Sequence, residues 1–493
     1  MESNQKRVRS SLICDSSAGC SLSKRPLLED QTVNAFIEWC CKSNFNLSPK
    51  VKISEEGSVA KYGMIATEDI SCGECLFEIP RSHILIAETS SISELTKEVD
   101  LSATKSDKGW ITLLLSILHE YNKPNSKWRP YFNLVPDFKH LELPLFWSET
   151  NRTELLQGTD INKLVESDLE SINSDFNNVI LPFVKKHPEA FPPKCQNLKF
   201  YHKMVAFVMA YSFMEPTNPM LDSSDEDQVT APPMMVPVAD ILNHVANHNA
   251  ELSYEVSCLK MITVKDIQKG EEVYNTYGML SNSQLLHMYG FAELYPKNVN
   301  DTVEIPIKFF QDSAAELAVH ADNEELLQQK WQMMLMSNII SEDDSFLLGM
   351  RGFLTKDELI LFLQILFLND SEFVTLKTKE SFQIDPNVTN QTNNNDNDND
   401  DDEDGEDSDE SYDDDDEELL RFKDLRTLCP SWRKLLIQVA EKCLAQYRTT
   451  LEKDSSTLFS ENFDHLSAFE RFAFYTTYSQ KKMLEKLIKY CQC

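Results

Sequence analysis

Two short segments bring together the residues best able to do chemistry. Pro237-Val238-Ala239-Asp240-Ile241-Leu242-Asn243-His244 is an apolar, β-branched run that ends in an Asn-His pair. About thirty residues on, Glu271-Glu272-Val273-Tyr274-Asn275-Thr276-Tyr277-Gly278 reads as a strand running into a Tyr-Gly turn. Two such segments can meet around a small polar pocket. Tyr277 brings a phenolic hydroxyl to it, and Tyr289 brings a second from a short helix that stops at Gly290. Such hydroxyls orient a bound group. Each residue alone also has a plainer reading: an isolated tyrosine usually packs its ring and exposes its hydroxyl, and a lone histidine is more often a hydrogen-bonded structural group. Nothing in the Asn-His pair suggests acid-base chemistry.

Both segments resemble the hallmark motifs of the SET domain, in which the Asn-His segment and the Tyr-bearing segment thread past each other in a pseudoknot. The likeness continues through Asn282-Ser283-Gln284-Leu285-Leu286-His287-Met288-Tyr289-Gly290-Phe291, and upstream through Lys61-Tyr62-Gly63-Met64-Ile65-Ala66-Thr67. Together these resemble the SET branch that includes the Rubisco large-subunit lysine methyltransferase. Ala239-Asp240-Ile241-Leu242-Asn243-His244 with Ala246-Asn247-His248-Asn249-Ala250 is similar to protein-lysine methyltransferases within that branch. The resemblance covers residues from about 30 to about 480. It implies an α+β protein: a SET-type β fold with a pseudoknot and a helical insertion, then an all-α substrate-binding domain.

The chemistry so implied is methyl transfer from S-adenosylmethionine to a protein lysine, giving monomethyl-lysine on nuclear proteins such as transcription factors or histones. In-line displacement needs an uncharged amine, and freeing a lysine of its proton at pH 7 costs roughly 4 to 5 kcal/mol. A narrow, poorly solvated channel lowers that cost, because desolvation disfavours the ammonium, and hydroxyls and main-chain carbonyls can then align the amine. By resemblance Tyr277 is the catalytic tyrosine, and Tyr289 lines the same channel and touches the cofactor. Asn243 and His244 match positions that hold the cofactor's adenine and amino-acid portions. Ala60, Lys61 and Tyr62 align with the stretch whose amides meet the amino-acid end, although Lys61 stands where the family usually has Gly, which puts the local backbone angle in question. Tyr211 and Ser212 occupy a cofactor- and substrate-contacting place that is Arg in several relatives. Met214, Trp110, Pro237 and Lys260 match substrate-side positions; the plainer reading of Trp110 is core packing.

Rivals remain open at this level. Another member of the same branch methylates histidine, and a non-catalytic histone-binding module built on the acidic tract is a reading from a different class. The plainer reading of that tract, and the favoured one, is a solvated spacer. Zinc is not implied: no cysteine follows Tyr289 until Cys429, and Cys72-Gly73-Glu74-Cys75 has no second pair or nearby His, so it reads as a strand-connecting turn.

Positioning these residues requires more than one core. A chain of 493 residues exceeds the usual domain of roughly 100 to 200 residues, and at 41% hydrophobic content it has ample material for two. Residues 1–30 are Ser-rich and expected to be disordered. A first helix is expected to start at Thr32, residues 51–86 read as strands, and helices take over at about 110–231, with a solvated loop at 216–233. Leu252, Tyr254, Leu259, Met261 and Thr263 alternate with polar neighbours as in a hairpin. The SET domain is thus expected over 31–304 and the helical domain over 305–493, interrupted by a disordered insert at 387–418.

Charge and cysteine usage narrow the class. The net charge is −33, but 17 acidic residues lie within 396–418, and the remaining 63 acidic against 47 basic residues still leave −16. Direct nucleic-acid binding, which needs clustered basic charge, is not expected. An acidic surface suits a basic target tail. The apolar stretches 111–118 and 359–368 fall short of the roughly 18 residues of a membrane span. The N-terminus starts basic but lacks an apolar signal region, and the 12 cysteines show no framework spacing, so free thiols and a nuclear or cytosolic protein are expected.

Overall fold

The computed structural model describes residues 28–106, 108–135, 141–216, 231–317, 319, 324–377, 419–461 and 463–492. The acidic insert at 387–418, the acidic loop around Asp222-Asp227 and all but the last three residues of the expected N-terminal tail lie outside them. Those three residues belong to a helix, Leu28–Lys42, which starts four residues before Thr32. Leu28, Glu29 and Gln31 are good helix formers, so the helix runs through Thr32 and does not cap there. Phe36 and Cys40, four apart on one face, are fully buried.

Strands β1 (Asn46–Leu47), β2 (Val51–Ser54), β3 (Gly63–Ala66) and β4 (Cys75–Pro80) fill the segment read as extended. The helical insertion follows, from Lys108–Asn122 to Leu198–Tyr211. Its last helix ends at Tyr211, because Ser212–Phe213 leaves as β5 to pair with β6, Met234–Met235. Then come β7 (Asn243–His244), β8 (Ala250–Tyr254), β9 (Cys258–Thr263) and β10 (Glu272–Asn275). The expected hairpin forms: β8 and β9 pair antiparallel from Ala250 opposite Thr263 to Tyr254 opposite Leu259, with Leu259, Met261 and Thr263 buried.

Two four-stranded sheets result, in the orders β1-β4-β9-β8 and β2-β3-β10-β7. In the second, β10 is antiparallel to β3 but parallel to β7, so the two motif segments lie side by side, Tyr274 opposite Asn243 and Asn275 opposite His244.

The region after Ile305 is mostly helical, with helices such as Glu324–Met336, Lys356–Phe367 and Pro430–Leu444. It is not wholly helical as expected. Strands β11 (Thr302–Pro306), β12 (Ser345–Gly349), β13 (Gly352–Phe353) and β14 (Leu420–Arg421) form a sheet within it. Two of its strands have only two residues, too short for a period-2 pattern to register.

Buried apolar side chains gather in two clusters, one drawn from residues 36–286 together with Ala473 and the other from 303–491. The last helix, Ala468–Gln492, spans about 37 Å and serves both. Phe469, Phe472 and Ala473 pack on the first cluster, whereas Met483, Leu484 and Leu487 belong to the second. Between them Gln480 accepts from the Tyr447 hydroxyl and donates to the Ser283 hydroxyl, each at 2.9 Å, tying the second core to the helix that carries Tyr289. No helix among the described residues is long and apolar enough to cross a membrane.

Candidate active site

The β7–β10 pair fixes Asn243 against the segment that precedes β3. The Asn243 Oδ1 accepts from the Ala60 amide at 3.1 Å, and its Nδ2 donates to the Tyr62 carbonyl at 3.1 Å and to Glu272 Oε1 at 2.6 Å. Both Nδ2 protons are therefore used. The other Glu272 oxygen accepts from the Ser58 amide at 3.1 Å. The 57–63 turn is thus pinned from below by one amide and one carboxylate. It also needs glycine: a Cβ on Gly57 would fall 2.3 Å from the Tyr62 carbonyl, and one on Gly63 2.4 Å from Glu272 Oε1. Lys61 is not among the described non-glycine residues with positive φ, so its departure from Gly brings no left-handed strain.

Tyr277 sits in an aromatic stack. Its ring lies 5.1 Å from that of His244 at 29° and 4.7 Å from that of Tyr289, with Phe291 edge-on at 6.3 Å. The Tyr277 amide donates to His244 Nδ1 at 3.0 Å, and its hydroxyl donates to the Leu242 carbonyl at 2.9 Å. An Nδ1 that accepts is unprotonated, so the His244 proton is assigned to Nε2, and burial lowers the imidazole to about 4. His244 is therefore a neutral acceptor that orients Tyr277. Desolvation, then the neighbouring Tyr211 and Tyr289, hold the Tyr277 phenol well above its ordinary value, so it stays protonated. With that proton committed to Leu242, the phenolic oxygen has lone pairs to offer and no base chemistry.

A cavity opens beside these elements, lined by Ala60, Lys61 and Tyr62 from the turn and by Tyr131, Tyr211 and Asp240 with apolar neighbours. Asp240 is 9% exposed. Its Oδ2 accepts from the Tyr131 hydroxyl at 2.5 Å, while Oδ1 has no hydrogen-bond partner among the described residues. Burial raises the carboxyl to about 7 despite the opposing Tyr131 hydrogen bond and the nearby amides of Asp240 and Val238. Val238, just before it, holds φ 80° and ψ −49°, which costs a β-branched residue about 1–3 kcal/mol. His244 Nε2 and both side-chain polar atoms of the facing Asn275 are likewise buried without partners among the described residues. Unpaired polar atoms thus gather along the two motif strands, where a polar ligand would satisfy them.

The structure brings together Ala60, Lys61, Tyr62, Tyr211, Asn243, His244, Tyr277 and Tyr289. It differs in what some of them do: the Ala60 amide is already spent on Asn243, and the Asn243 side chain grips the turn. Ser212 pairs with Met235 in the short β5–β6 sheet, Met214 beyond it is exposed and Pro237 is buried. Lys260 lies on β9 with its ammonium 3.0 Å from Glu255 and 3.5 Å from Glu78, and Trp110 packs on the first core; neither lines the cavity. Cys72 and Cys75 lie in and just after the turn that leads into β4. Sequence reading passed over Asp240, Tyr131 and Glu272. Asp240 had a signal, a lone charge inside an apolar run. Tyr131, 109 residues upstream of it, had none.

With this geometry in hand, comparison with known proteins is informative. The SET domain profile matches residues 61–278, and the Rubisco LSMT substrate-binding profile matches residues 321–484. The chain is 38% identical over 458 residues to the N-lysine methyltransferase setd6 of Xenopus laevis, covering 93% of this chain and 94% of that protein. It is 36% identical over 482 residues to the N-lysine methyltransferase SETD6 of Homo sapiens, covering 93% and 95%. The crystal structure of the SET domain of LSMT bound to lysine and AdoHcy superposes with a TM-score of 0.57 at 17% identity, covering 95% of this chain and 92% of that one. At that identity the likeness speaks to the fold.

Proposed function

This chain belongs to the SETD6 family of N-lysine methyltransferases, and from that premise we propose that it monomethylates lysine on nuclear proteins such as transcription factors or histones. It is a protein-lysine N-methyltransferase that uses S-adenosylmethionine. The observation that carries the reading is the Tyr277 hydroxyl, 2.9 Å from the Leu242 carbonyl and stacked between His244 and Tyr289. The residues suit such a cofactor: the buried, unpartnered atoms of Asp240, His244 and Asn275 call for a polar ligand, and Tyr62, Leu134, Val135, Leu141 and Ile241 offer apolar wall beside them. When bound, S-adenosylmethionine supplies an electrophilic methyl group on a sulfonium.

The chain's own part is positioning. Tyr277 and the Leu242 carbonyl present oxygen lone pairs, which align an amine and make weak contacts to a polarised methyl group. Desolvation by the Tyr277, Tyr289 and Phe291 rings favours the neutral amine over the ammonium. The helical second region recognises the protein substrate, and the acidic surface favours basic target tails. Residence in the nucleus accords with such targets.

Transfer of labelled methyl from S-adenosylmethionine into a nuclear extract, followed by mass spectrometric location of the label, tests this. Monomethyl-lysine on nuclear proteins is expected. Methyl-histidine, or no incorporation, overturns it.

A further inference from the structure

We propose that Asn282 and Asp301 are positioning residues for methyl transfer, an inference that rests on the methyltransferase reading above. From outside the cavity the pair holds the His244, Tyr277 and Tyr289 segments in one mutual arrangement. Neither residue lines the cavity, and each is 1% exposed. Asn282 opens the helix Asn282–Tyr289, so it and Tyr289 stand at opposite ends of one short element.

The Asn282 side chain is fully used. Its Oδ1 accepts from the Glu293 amide at 2.9 Å and from Asn298 Nδ2 at 3.2 Å. Its Nδ2 donates to the Glu293 carbonyl and to Asp301 Oδ2, each at 2.9 Å. From this node an arm runs to each member of the stack. Glu293 Oε1 accepts at 2.9 Å from the amide of Ala246, two residues after His244. Asn298 Nδ2 also donates at 3.0 Å to the carbonyl of Leu280, three residues after Tyr277. The third arm is the helix itself, which ends at Tyr289.

Asp301 locks the node. Its Oδ1 accepts from the Asn282 amide at 2.8 Å and from the Thr302 amide at 2.9 Å, and the Ser479 hydroxyl donates to the same carboxylate. Ser479 lies on the last helix, whose Phe472 ring meets Phe291 edge-on at 6.5 Å, so the second core reaches the stack by two routes. Burial raises the Asp301 carboxyl to about 6 against the pull of its hydrogen bonds, which leaves it ionised at pH 8. An ionised carboxylate can only accept, and this fixes which end of the Asn282 amide faces it. Fully paired buried networks rigidify what they join, and reacting groups displaced by about 1 Å lose about 100-fold in rate.

Asp301→Asn tests the pair, because whichever way the new amide turns, one of its N–H groups meets a donor of Asn282. Full-length wild type and variant, preloaded with labelled S-adenosylmethionine, are mixed with rising amounts of nuclear extract at pH 8 and followed through a single turnover. The rate constant then reads alignment, and the amplitude reads the folded fraction. The variant's limiting rate constant is expected to fall about 10- to 100-fold, with the half-saturating extract concentration and the calorimetric affinity for S-adenosylhomocysteine within about threefold of wild type. A loss of amplitude at an unchanged rate constant means that the pair serves folding alone and overturns the proposal. A matching loss of cofactor affinity assigns the pair to cofactor binding and also overturns it. Should Asp301→Asn not fold, Asn298→Ala decides: it cuts the arm to Leu280, and a rate constant not slowed by about threefold or more overturns the proposal. A wild type that transfers no methyl fails the methyltransferase reading itself, whereas a variant that keeps pace with an active wild type fails only the positioning role.

Discussion

The stack of His244, Tyr277 and Tyr289 and the pair of Asp240 and Tyr131 are anchored four residues apart, at His244 and Asp240, yet handle burial in opposite ways. In the stack the Tyr277 amide and hydroxyl both have partners, and burial keeps His244 and Tyr277 neutral. In the pair a carboxylate is buried with one oxygen unsatisfied. A closed neutral region can orient a reacting amine without drawing a proton back to it. An open anionic one stores a cost that only a ligand relieves. The first is suited to chemistry and the second to binding, so substitutions should separate turnover from affinity.

The largest expected effect is on turnover. Tyr277→Phe removes the hydroxyl but leaves the ring contacts at 4.7 and 5.1 Å, so methyl transfer should fall about 100-fold or more while cofactor affinity stays within a few-fold. Single-turnover kinetics and calorimetry on one preparation check this. Parity in rate with the wild type would remove Tyr277 from the chemistry.

Stability should show the contrast next, through pH. With its folded carboxyl raised to about 7 from 3.8, Asp240 binds its proton more tightly folded than unfolded. Its penalty is absent below the unfolded value, grows as pH rises, and is complete above the folded value. Asp240→Asn, which can still accept from Tyr131, should therefore stabilise the ligand-free protein by about 2–4 kcal/mol at pH 8, the gain shrinking below pH 7 and vanishing near 4. His244 runs the other way: lowered from 6.5 to about 4, it costs stability as pH falls through that window. Thermal unfolding of both proteins across pH 4 to 8 checks this, and a pH-independent gain would mean that burial does not raise the Asp240 carboxyl.

Asn243→Ala comes third. It frees the 57–63 turn by leaving the Ala60 amide and Tyr62 carbonyl without their partner, so S-adenosylmethionine should bind about 1–3 kcal/mol more weakly through a loosened turn. An unchanged dissociation constant in a folded variant would show that the turn keeps its shape without Asn243.

How far these regions could be read in advance depended on sequence distance. Asn243, His244 and Tyr277 sit in two continuous segments whose residue order is itself the signal, and the β8–β9 hairpin shows in the alternation of Leu259, Met261 and Thr263. Tyr131 meets Asp240 only because the helical insertion folds back on the 239–241 turn that precedes β7, a contact with no local trace. The sheet β11–β14 was illegible for a similar reason: β14 joins β13 from 67 residues away, and each contributes two residues. The first helix starts four residues ahead of Thr32, because helix propensity there outran the cap.

The smallest effect should come from Lys260, which resemblance places on the substrate side. Its ammonium is shared by Glu255 and Glu78 on an outward face of β9, and its side chain is 27% exposed. Pairs of that kind contribute about 0–1 kcal/mol, because solvent screens them and holding long side chains in place costs entropy. Lys260→Ala should therefore leave stability nearly unchanged and cofactor affinity unchanged, since neither the stack nor the Asp240 pair touches it. Its KM for a peptide substrate should move by no more than about threefold, because two glutamates already hold the charge a substrate carboxylate would seek. Steady-state kinetics at low and high salt decide the matter. A larger rise in KM that fades with salt means that Lys260 leaves Glu255 and Glu78 to meet the substrate, which extends the binding surface from the buried carboxylate to the rim.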